Sequence, residues 1–321
     1  MLKILLVKMS SMGDLVHNLP VVTDIRAHYP DAVVDWIAEE AYVTIPSLHP
    51  AVRRVIPIAW RRWRRQLAQR KTWTEMAEFR RQLLATDYDF VLDSQGLLKS
   101  AIVGSMAKGI LVGGDSRSIK EPLASVFYRR RLPIAWSWHV VKRCRAVAAG
   151  VLDYPADAPP EYGISAPRLV VDWLPDKPYC VLMHAASRPE KLWPESHWVE
   201  LGRYLAKQGL ICVLPWGSPE EQQRSRRLAL AIPGAVVPPL MDLASAAGFL
   251  AGSVMVVGLD TGFTHFSAAL GRPTIGIYCD SDSQQAAVHG SAYCASFGKR
   301  GAPPNYATVH AAVERALRST P

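Results

Sequence analysis

Cys180-Val-Leu-Met-His184 is a short apolar run that ends in a polar loop, Ala185-Ala-Ser-Arg-Pro-Glu-Lys191. An apolar run of this length, bounded by turn residues, reads as a buried strand. Downstream the pattern alternates: helix His197–Gln208, strand Ile211–Pro215, helices Glu220–Ala231 and Leu243–Ala251, strand Val254–Gly258, helix Thr264–Leu270 and strand Thr274–Tyr278. Upstream lies Asp153–Pro178, which holds six of the 24 prolines (155, 159, 160, 167, 175 and 178) and little periodicity. That composition predicts a linker.

Before the linker the same alternation occurs once already. Ile4–Val7 reads as a strand, Ser10–Asp14 as a loop, and Val21–His28 as a helix. Strands follow at Val33–Ile37, Val55–Pro57 and Phe90–Leu92, with a polar helix over Thr74–Thr86. Strands separated by helices pair in parallel through crossovers, which gives an α/β class. The 321 residues therefore divide into a Rossmann-like domain over 1–155, a linker over 156–178, a second Rossmann-like domain over 179–305 and a last helix over 306–321. A cleft is expected between the domains, because open α/β sheets bind ligands at the carboxyl ends of their strands.

The net charge is +9, and its placement is informative. Residues 1–155 carry 23 basic and 14 acidic side chains, whereas 156–321 carry 14 of each. One domain is thus suited to an anionic partner. Much of the excess lies between Arg53 and Lys71, where eight cations and the tryptophans Trp60 and Trp63 occur without an acid. Arginine with tryptophan suits phosphates, carboxylates and a membrane interface. It also suits nucleic acid, and a solvated face is the plain alternative. Five scattered cysteines, with no C-x-x-C, indicate neither a disulfide framework nor a zinc ribbon. They fit a reducing cytosol. Ile4–Val7 is too short for a signal peptide or membrane helix, and no run of about 18 apolar residues occurs, so any membrane contact is expected to be peripheral.

Three loops carry candidate chemistry. Lys8-Met-Ser-Ser-Met-Gly-Asp14 delivers a carboxylate to the end of the first strand, as a general base or as a helix cap. Ser187 and Lys191 are a hydroxyl donor and a mobile charge of the kind that holds a diphosphate. Gly258-Leu-Asp-Thr-Gly-Phe-Thr-His265 runs from a strand through a turn into a helix, whose N-terminus forms an anion site. Asp260 suits sugar hydroxyls and Thr261 a phosphate. Neither G-x-G-x-x-G nor a P-loop is present. Asp280–Asp282 and Asp87–Asp89 are short acidic pairs of the kind that bind a divalent ion in some glycosyltransferases.

Together with Leu19-Pro20, Arg61-Arg-Trp-Arg64, Asp93-Ser-Gln-Gly-Leu-Leu-Lys-Ser100, Glu121-Pro-Leu-Ala-Ser125, Trp193-Pro-Glu-Ser-His-Trp198 and Leu214-Pro-Trp-Gly217, these blocks resemble the ADP-heptose-dependent glycosyltransferase family. The likeness spans essentially the whole chain, and its opening is closest to members that add the first heptose. It implies a GT-B fold, with the acceptor on the first domain, the nucleotide sugar on the second, and the last helix crossing back to the first. It implies inverting transfer of L-glycero-D-manno-heptose from its ADP donor to the first Kdo of Kdo2-lipid A. The setting implied is the inner leaflet of the inner membrane, reached from the cytoplasm, with no cofactor, no metal and no nucleic acid.

The resemblance makes Asp14 the base and Lys191 the charge that stabilises the departing diphosphate. Ser187, Thr261 and Gly262 become phosphate contacts, Glu221 a ribose ligand and Met241 an adenine contact. Asp260 meets the heptose, and His265 completes the donor site. Arg61, Arg64, Arg65, Gln95 and Lys99 fall to the acceptor. Ala186 stands where the family usually has a hydroxyl residue, so that phosphate contact falls to the backbone. Cys279-Asp-Ser-Asp282 replaces the usual Gly-Pro-Thr-Asp-Pro. Two other classes fit parts of the pattern: a GT-B enzyme acting on another nucleotide sugar, and a non-enzymatic binder of anionic membrane or nucleic acid through 53–71.

Overall fold

The structure is a computed structural model that describes residues 1–174 and 176–319. Pro175 of the linker and residues 320–321 of the last segment lie outside the described residues. The chain forms two compact units, Met1–Ile164 and Ser165–Pro321.

The first unit contains β1 (Lys3–Val7), α1 (Met12–His28), β2 (Val33–Glu39), α2 (Thr44–Ser47), β3 (Val52–Ile58), α3 (Trp60–Trp63), α4 (Arg70–Leu84), β4 (Asp87–Asp93), α5 (Leu98–Ser105), β5 (Lys108–Gly114), β6 (Arg130–Leu132) and α6 (Val140–Leu152). Its sheet runs β3-β2-β1-β4-β5-β6, parallel throughout. Parallel strands are covered by helices on both faces. Accordingly Ile4–Val7 of β1 are all buried, and Leu5, Val7, Ile37, Ile56, Val91 and Leu111 join one core.

The second unit contains β7 (Tyr179–Met183), α7 (Glu195–Lys207), β8 (Ile211–Val213), α8 (Pro219–Ala231), α9 (Leu243–Ala251), β9 (Met255–Leu259), α10 (Gly262–Ala269), β10 (Thr274–Ile277), β11 (Cys294–Phe297) and α11 (Tyr306–Arg318). Its parallel sheet runs β11-β10-β9-β7-β8. In each sheet the strand order reverses once, between β1 and β4 and between β7 and β9.

One expectation changes. Ser10–Asp14 is not all loop: α1 begins at Met12, because Ser11 caps it and the Asp14 carboxylate accepts the Ser11 N–H at 2.7 Å. Pro20 is tolerated inside this helix. The apolar face of the last helix is taken up by the second unit. Val309, Ala312, Val313 and Ala316 of α11 are buried in the second core with Leu201, Val257 and Ile275. Their spacing is one apolar helix stripe, and the second sheet supplies the surface that covers it. Around the linker the chain is fastened within each unit. Tyr154 and Tyr162 are buried, and the Ala158 carbonyl accepts from Arg145 of α6 at 2.6 Å. Beyond the division, the Leu169 N–H donates to the Gly248 carbonyl of α9 at 3.2 Å.

His49 follows α2 and is buried, with Nδ1 accepting the Ala51 N–H at 3.2 Å and Nε2 facing Thr23 Oγ1 at 3.0 Å. Burial lowers its pKa to about 4. The unfolded chain therefore takes up this proton first as pH falls, so stability is complete above about 6.5 and declines towards 4. Chemical denaturation of the first unit should show about 2 kcal/mol less stability at pH 5 than at pH 7.5 from this group. His49→Gln should flatten that dependence, and an unchanged slope would assign it to other groups.

Candidate functional site

In the first unit, the loops after β1 and β4 meet at the point where strand order reverses. Asp93 ends β4 and is fully buried. It accepts from the N–H groups of Gln95 (2.8 Å) and Gly96 (3.1 Å), from Ser100 Oγ (2.8 Å) and from Tyr128 Oη (2.8 Å). Burial raises its pKa despite those bonds, and burial also pushes the Tyr128 phenol up. Gly96 takes φ +67°, where a side chain would be strained and would strike Ile119. The loop so fastened carries Gln95, whose Oε1 accepts the Met9 N–H at 2.7 Å and whose Nε2 has no partner among the described residues.

Lys8 is buried and donates to the Ser94 carbonyl at 2.7 Å, with Cys144 Sγ at 3.7 Å. Asp14 is half-buried. Its Oδ2 accepts both the N–H and the hydroxyl of Ser11, at 2.7 and 2.9 Å, and Oδ1 has no hydrogen-bond partner among the described residues. The helix-capping reading of Asp14 is therefore realised, and one carboxylate oxygen remains available. Lys8, Asp14, Gln95, Lys120, Trp136 and Arg143 line a cavity of about 140 Å³. Arg143, Lys120 and Trp136 were not singled out from sequence, since nothing local marks them. Asp14 acts electrostatically on both Arg143 and Lys99.

Lys99 donates to Ser10 Oγ at 3.0 Å. Burial, followed by the charges of Arg61 and Arg64, lowers its pKa against the opposing pull of Glu39 and Asp14. Arg61, Arg64, Lys99 and Asp14 are thus one electrostatic neighbourhood. The run 53–71 is less bare than its sequence. Arg53 and Arg54 pair with buried Asp35, Arg62 with Glu40 and Glu75, and Lys71 reaches Glu75 at 3.9 Å. Arg61, Arg64 and Arg65 are exposed; the Arg61 N–H donates to Glu39 Oε1 at 2.9 Å, but none of the three guanidinium groups has a carboxylate partner among the described residues. Trp63 is not an interfacial residue: it is buried against Phe79 and donates to Glu75 at 2.7 Å.

In the second unit the loops after β7 and β9 carry the corresponding site. Lys191 Nζ donates to Asp260 Oδ2 at 2.8 Å and to its carbonyl at 3.3 Å, while His265 Nε2 lies 3.3 Å from Oδ1. Burial would raise the Asp260 pKa, but the bonds from His265 and Lys191 outweigh it and hold the group well below the usual carboxylate range. Thr261 caps α10, and Gly262 and Phe263 present N–H groups without a backbone acceptor among the described residues. Gly258 is required at the end of β9, because a Cβ there would strike Thr264 Oγ1, which donates to the Leu259 carbonyl at 2.6 Å.

The structure brings Lys191, Asp260, Thr261, Gly262 and His265 together. Ser187 is exposed on the same loop as Lys191, and Ala186 packs on the second core. Glu221 and Met241 sit at the starts of α8 and α9 and are not bonded to the Lys191 cluster. Glu221 instead accepts the Gly217 N–H at 2.7 Å, and Met241 precedes Asp242, the cap of α9. The acidic pairs have other work. Asp280 pairs with Arg188 (3.0 Å), Asp282 accepts the Gln284 N–H, Asp87 pairs with Lys108, and Asp89 accepts the Lys3 N–H. No helix among the described residues is long and apolar enough to cross a membrane.

Residues 76–308 match the model of glycosyltransferase family 9 (heptosyltransferase). The chain belongs to this family. It is 43% identical over 279 residues to lipopolysaccharide heptosyltransferase 1 of Pseudomonas aeruginosa, covering 86% of this chain and 78% of that relative. The E. coli heptosyltransferase WaaC with ADP superimposes with a TM-score of 0.88 at 39% identity, over 98% of this chain and all of that one. WaaC with ADP-2-deoxy-2-fluoro heptose gives a TM-score of 0.83 at 38% identity, over 99% of both. The fold is thus that of a GT-B glycosyltransferase, and the heptosyltransferase family excludes the non-enzymatic reading of 53–71.

Proposed function

We propose that this enzyme transfers L-glycero-D-manno-heptose from ADP-heptose to the first Kdo of Kdo2-lipid A, with inversion, working from the cytoplasm at the inner membrane. The observation that carries the reading is the Lys191 ammonium held by Asp260 beside the open N-terminus of α10. A helix N-terminus and a lysine together suit a diphosphate, and Asp260 and His265 supply polar groups for a sugar. Similarity to heptosyltransferase 1 along most of the chain supports the donor and the place of the reaction in the inner core.

In the displacement, the acceptor oxygen attacks the anomeric carbon and its proton passes to Asp14. The bond from that carbon to the diphosphate oxygen breaks, and the electron pair leaves with ADP. Charge grows on the leaving oxygens as this happens. Lys191 and the N–H groups of Gly262 and Phe263 are the groups that would stabilise it. Arg61, Arg64 and Arg65, whose guanidinium groups have no carboxylate partner among the described residues, would meet the anionic acceptor, and Lys99 would extend that surface to Asp14. Ser187, Glu221 and Met241 would close around the phosphate, ribose and adenine.

Asp14→Asn keeps an acceptor for the Ser11 N–H and removes the base, so it separates catalysis from helix capping. Both Asp14→Asn and Asp14→Ala should lower turnover by about 10²–10⁴ with donor affinity nearly intact. Turnover near wild type in the asparagine variant would leave Asp14 with the capping role alone.

Lys191→Ala should weaken ADP binding and lower turnover together, since the charge acts in the bound state and more strongly as the bond breaks. Part of the loss would come from leaving Asp260 unpaired. The double variant Lys191→Ala, Asp260→Ala should therefore recover some ADP affinity but no turnover. Calorimetry with unchanged ADP affinity in the single variant would refute the assignment.

Catalysis is proposed to need no divalent ion, the diphosphate being served by Lys191, Thr261 and the α10 N-terminus. EDTA-dialysed enzyme should keep its rate. A rate restored only by magnesium or manganese would return attention to Asp280 and Asp282.

Replacing Arg61, Arg64 and Arg65 by glutamine should raise the acceptor KM about tenfold or more and make it less sensitive to salt, at about 1 kcal/mol per cation near an anionic surface. The donor KM should hardly change. A folded triple variant with the wild-type acceptor KM would make this run a solvated face.

A further inference from the structure

The first unit exposes an apolar surface that neither core uses. Along α5, Ser100, Ala101, Val103 and Gly104 are buried, whereas Leu98, Ile102 and, just past its end, Met106 are exposed at helical spacing. Beside it runs a 3₁₀ turn, Pro122–Phe127, which buries Ala124 and Ser125 and exposes Leu123, Val126 and Phe127. Leu123 is 70% and Val126 63% exposed. The two segments are tied together, since the Leu98 N–H donates to Glu121 Oε2 at 2.6 Å and the Glu121 N–H to the Gly96 carbonyl at 3.2 Å. Six large apolar side chains gathered in this way mark an interaction surface, not a chance exposure.

The rim identifies the partner. Lys120 precedes the turn and Arg129, Arg130 and Arg131 follow it, all exposed. The acid beside them, Glu121, has its carboxylate engaged by Leu98. A second copy of the chain, meeting this face with the same face, would set cations against cations. An apolar centre with a basic rim instead complements an anionic lipid surface, with the apolar side chains among the acyl chains and the cations at the phosphates.

We infer that the α5 face and the 122–127 turn seat the enzyme on the surface of an anionic bilayer. The position serves the reaction. Gly96, whose carbonyl holds Glu121, and Lys120 both line the cavity that contains Asp14. In the same lining Trp136 lies over Arg143, with the guanidinium 3.7 Å from the ring centre, and Arg143 donates to the Ser118 carbonyl at 3.2 Å. A lipid-borne acceptor would reach Asp14 from the seated face without leaving the membrane. This last step rests on the acceptor proposed above, whereas the seating does not.

Leu123 and Val126 project from the turn, so serine at both should leave the melting curve unchanged. Co-sedimentation with vesicles of phosphatidylcholine containing phosphatidylglycerol should then show the partition coefficient of Leu123→Ser, Val126→Ser falling about tenfold below wild type. Leu123→Asp, a single change, should do at least as much, and wild type should bind pure phosphatidylcholine vesicles weakly. Transfer to an acceptor freed of its acyl chains should be unaffected in both variants, which keeps the seating separate from the chemistry. Folded variants that bind anionic vesicles as wild type does would overturn the inference. So would a wild-type dimer that the same substitutions convert to monomer without altering vesicle binding, since the face would then belong to a second copy.

Discussion

A parallel sheet covered on both faces has no room for polar chemistry within its layers, so functional groups are driven to the ends of its strands. Where strand order reverses, neighbouring connections leave towards opposite faces and open a crevice at the carboxyl edge. This chain has two such places, β1/β4 and β7/β9. Lys8, Asp14, Asp93 and Gln95 gather at the first, and Lys191, Asp260, Thr261 and Gly262 at the second. The two units thus apply one topological constraint to different chemistries, a carboxylate surrounded by cations in one and a cation secured by a carboxylate in the other.

The second site shows how a charge is kept ready in a partly buried place. A lysine without a partner there would carry a desolvation cost. Asp260 offsets it, and His265 steadies Asp260 from the other side. The ammonium has three donors, two of which meet Asp260, and the α10 N-terminus lies next to it. In the first site a buried carboxylate is satisfied by neutral donors. Asp93 takes two N–H groups, a hydroxyl and a phenol, and so fastens the loop that carries Gln95 and leads into α5.

Neutralisation also decides which cations of the basic half remain available. Asp35, Glu40 and Glu75 come from other elements and take Arg53, Arg54, Arg62 and Lys71. Of the run 53–71, the guanidinium groups of Arg61, Arg64, Arg65 and Arg70 are left without a carboxylate among the described residues, and Lys99 joins Arg61 and Arg64 electrostatically. The apolar face of α5 and its basic rim lie on the same unit. Excess charge and this apolar face are therefore features of the same unit.

The amino-acid sequence by itself determined the α/β class, most strands and helices of the second unit, and the loops that bear Lys191 and Asp260. These are local matters: apolar runs, prolines, and turn residues next to them act over a few positions. Strands β5, β6 and β11 and helices α5 and α6 left too weak a periodic signal, and the start of α1 was hidden because Asp14 works as a cap from within the helix. Only the tertiary structure decided which arginines stay unpaired, that Trp63 is core, that α11 covers the second sheet, and that Arg143 and Lys120 stand near Asp14. Each of these depends on groups distant in sequence, where pairing, burial and the covering of an apolar stripe are set by whichever element the fold brings alongside.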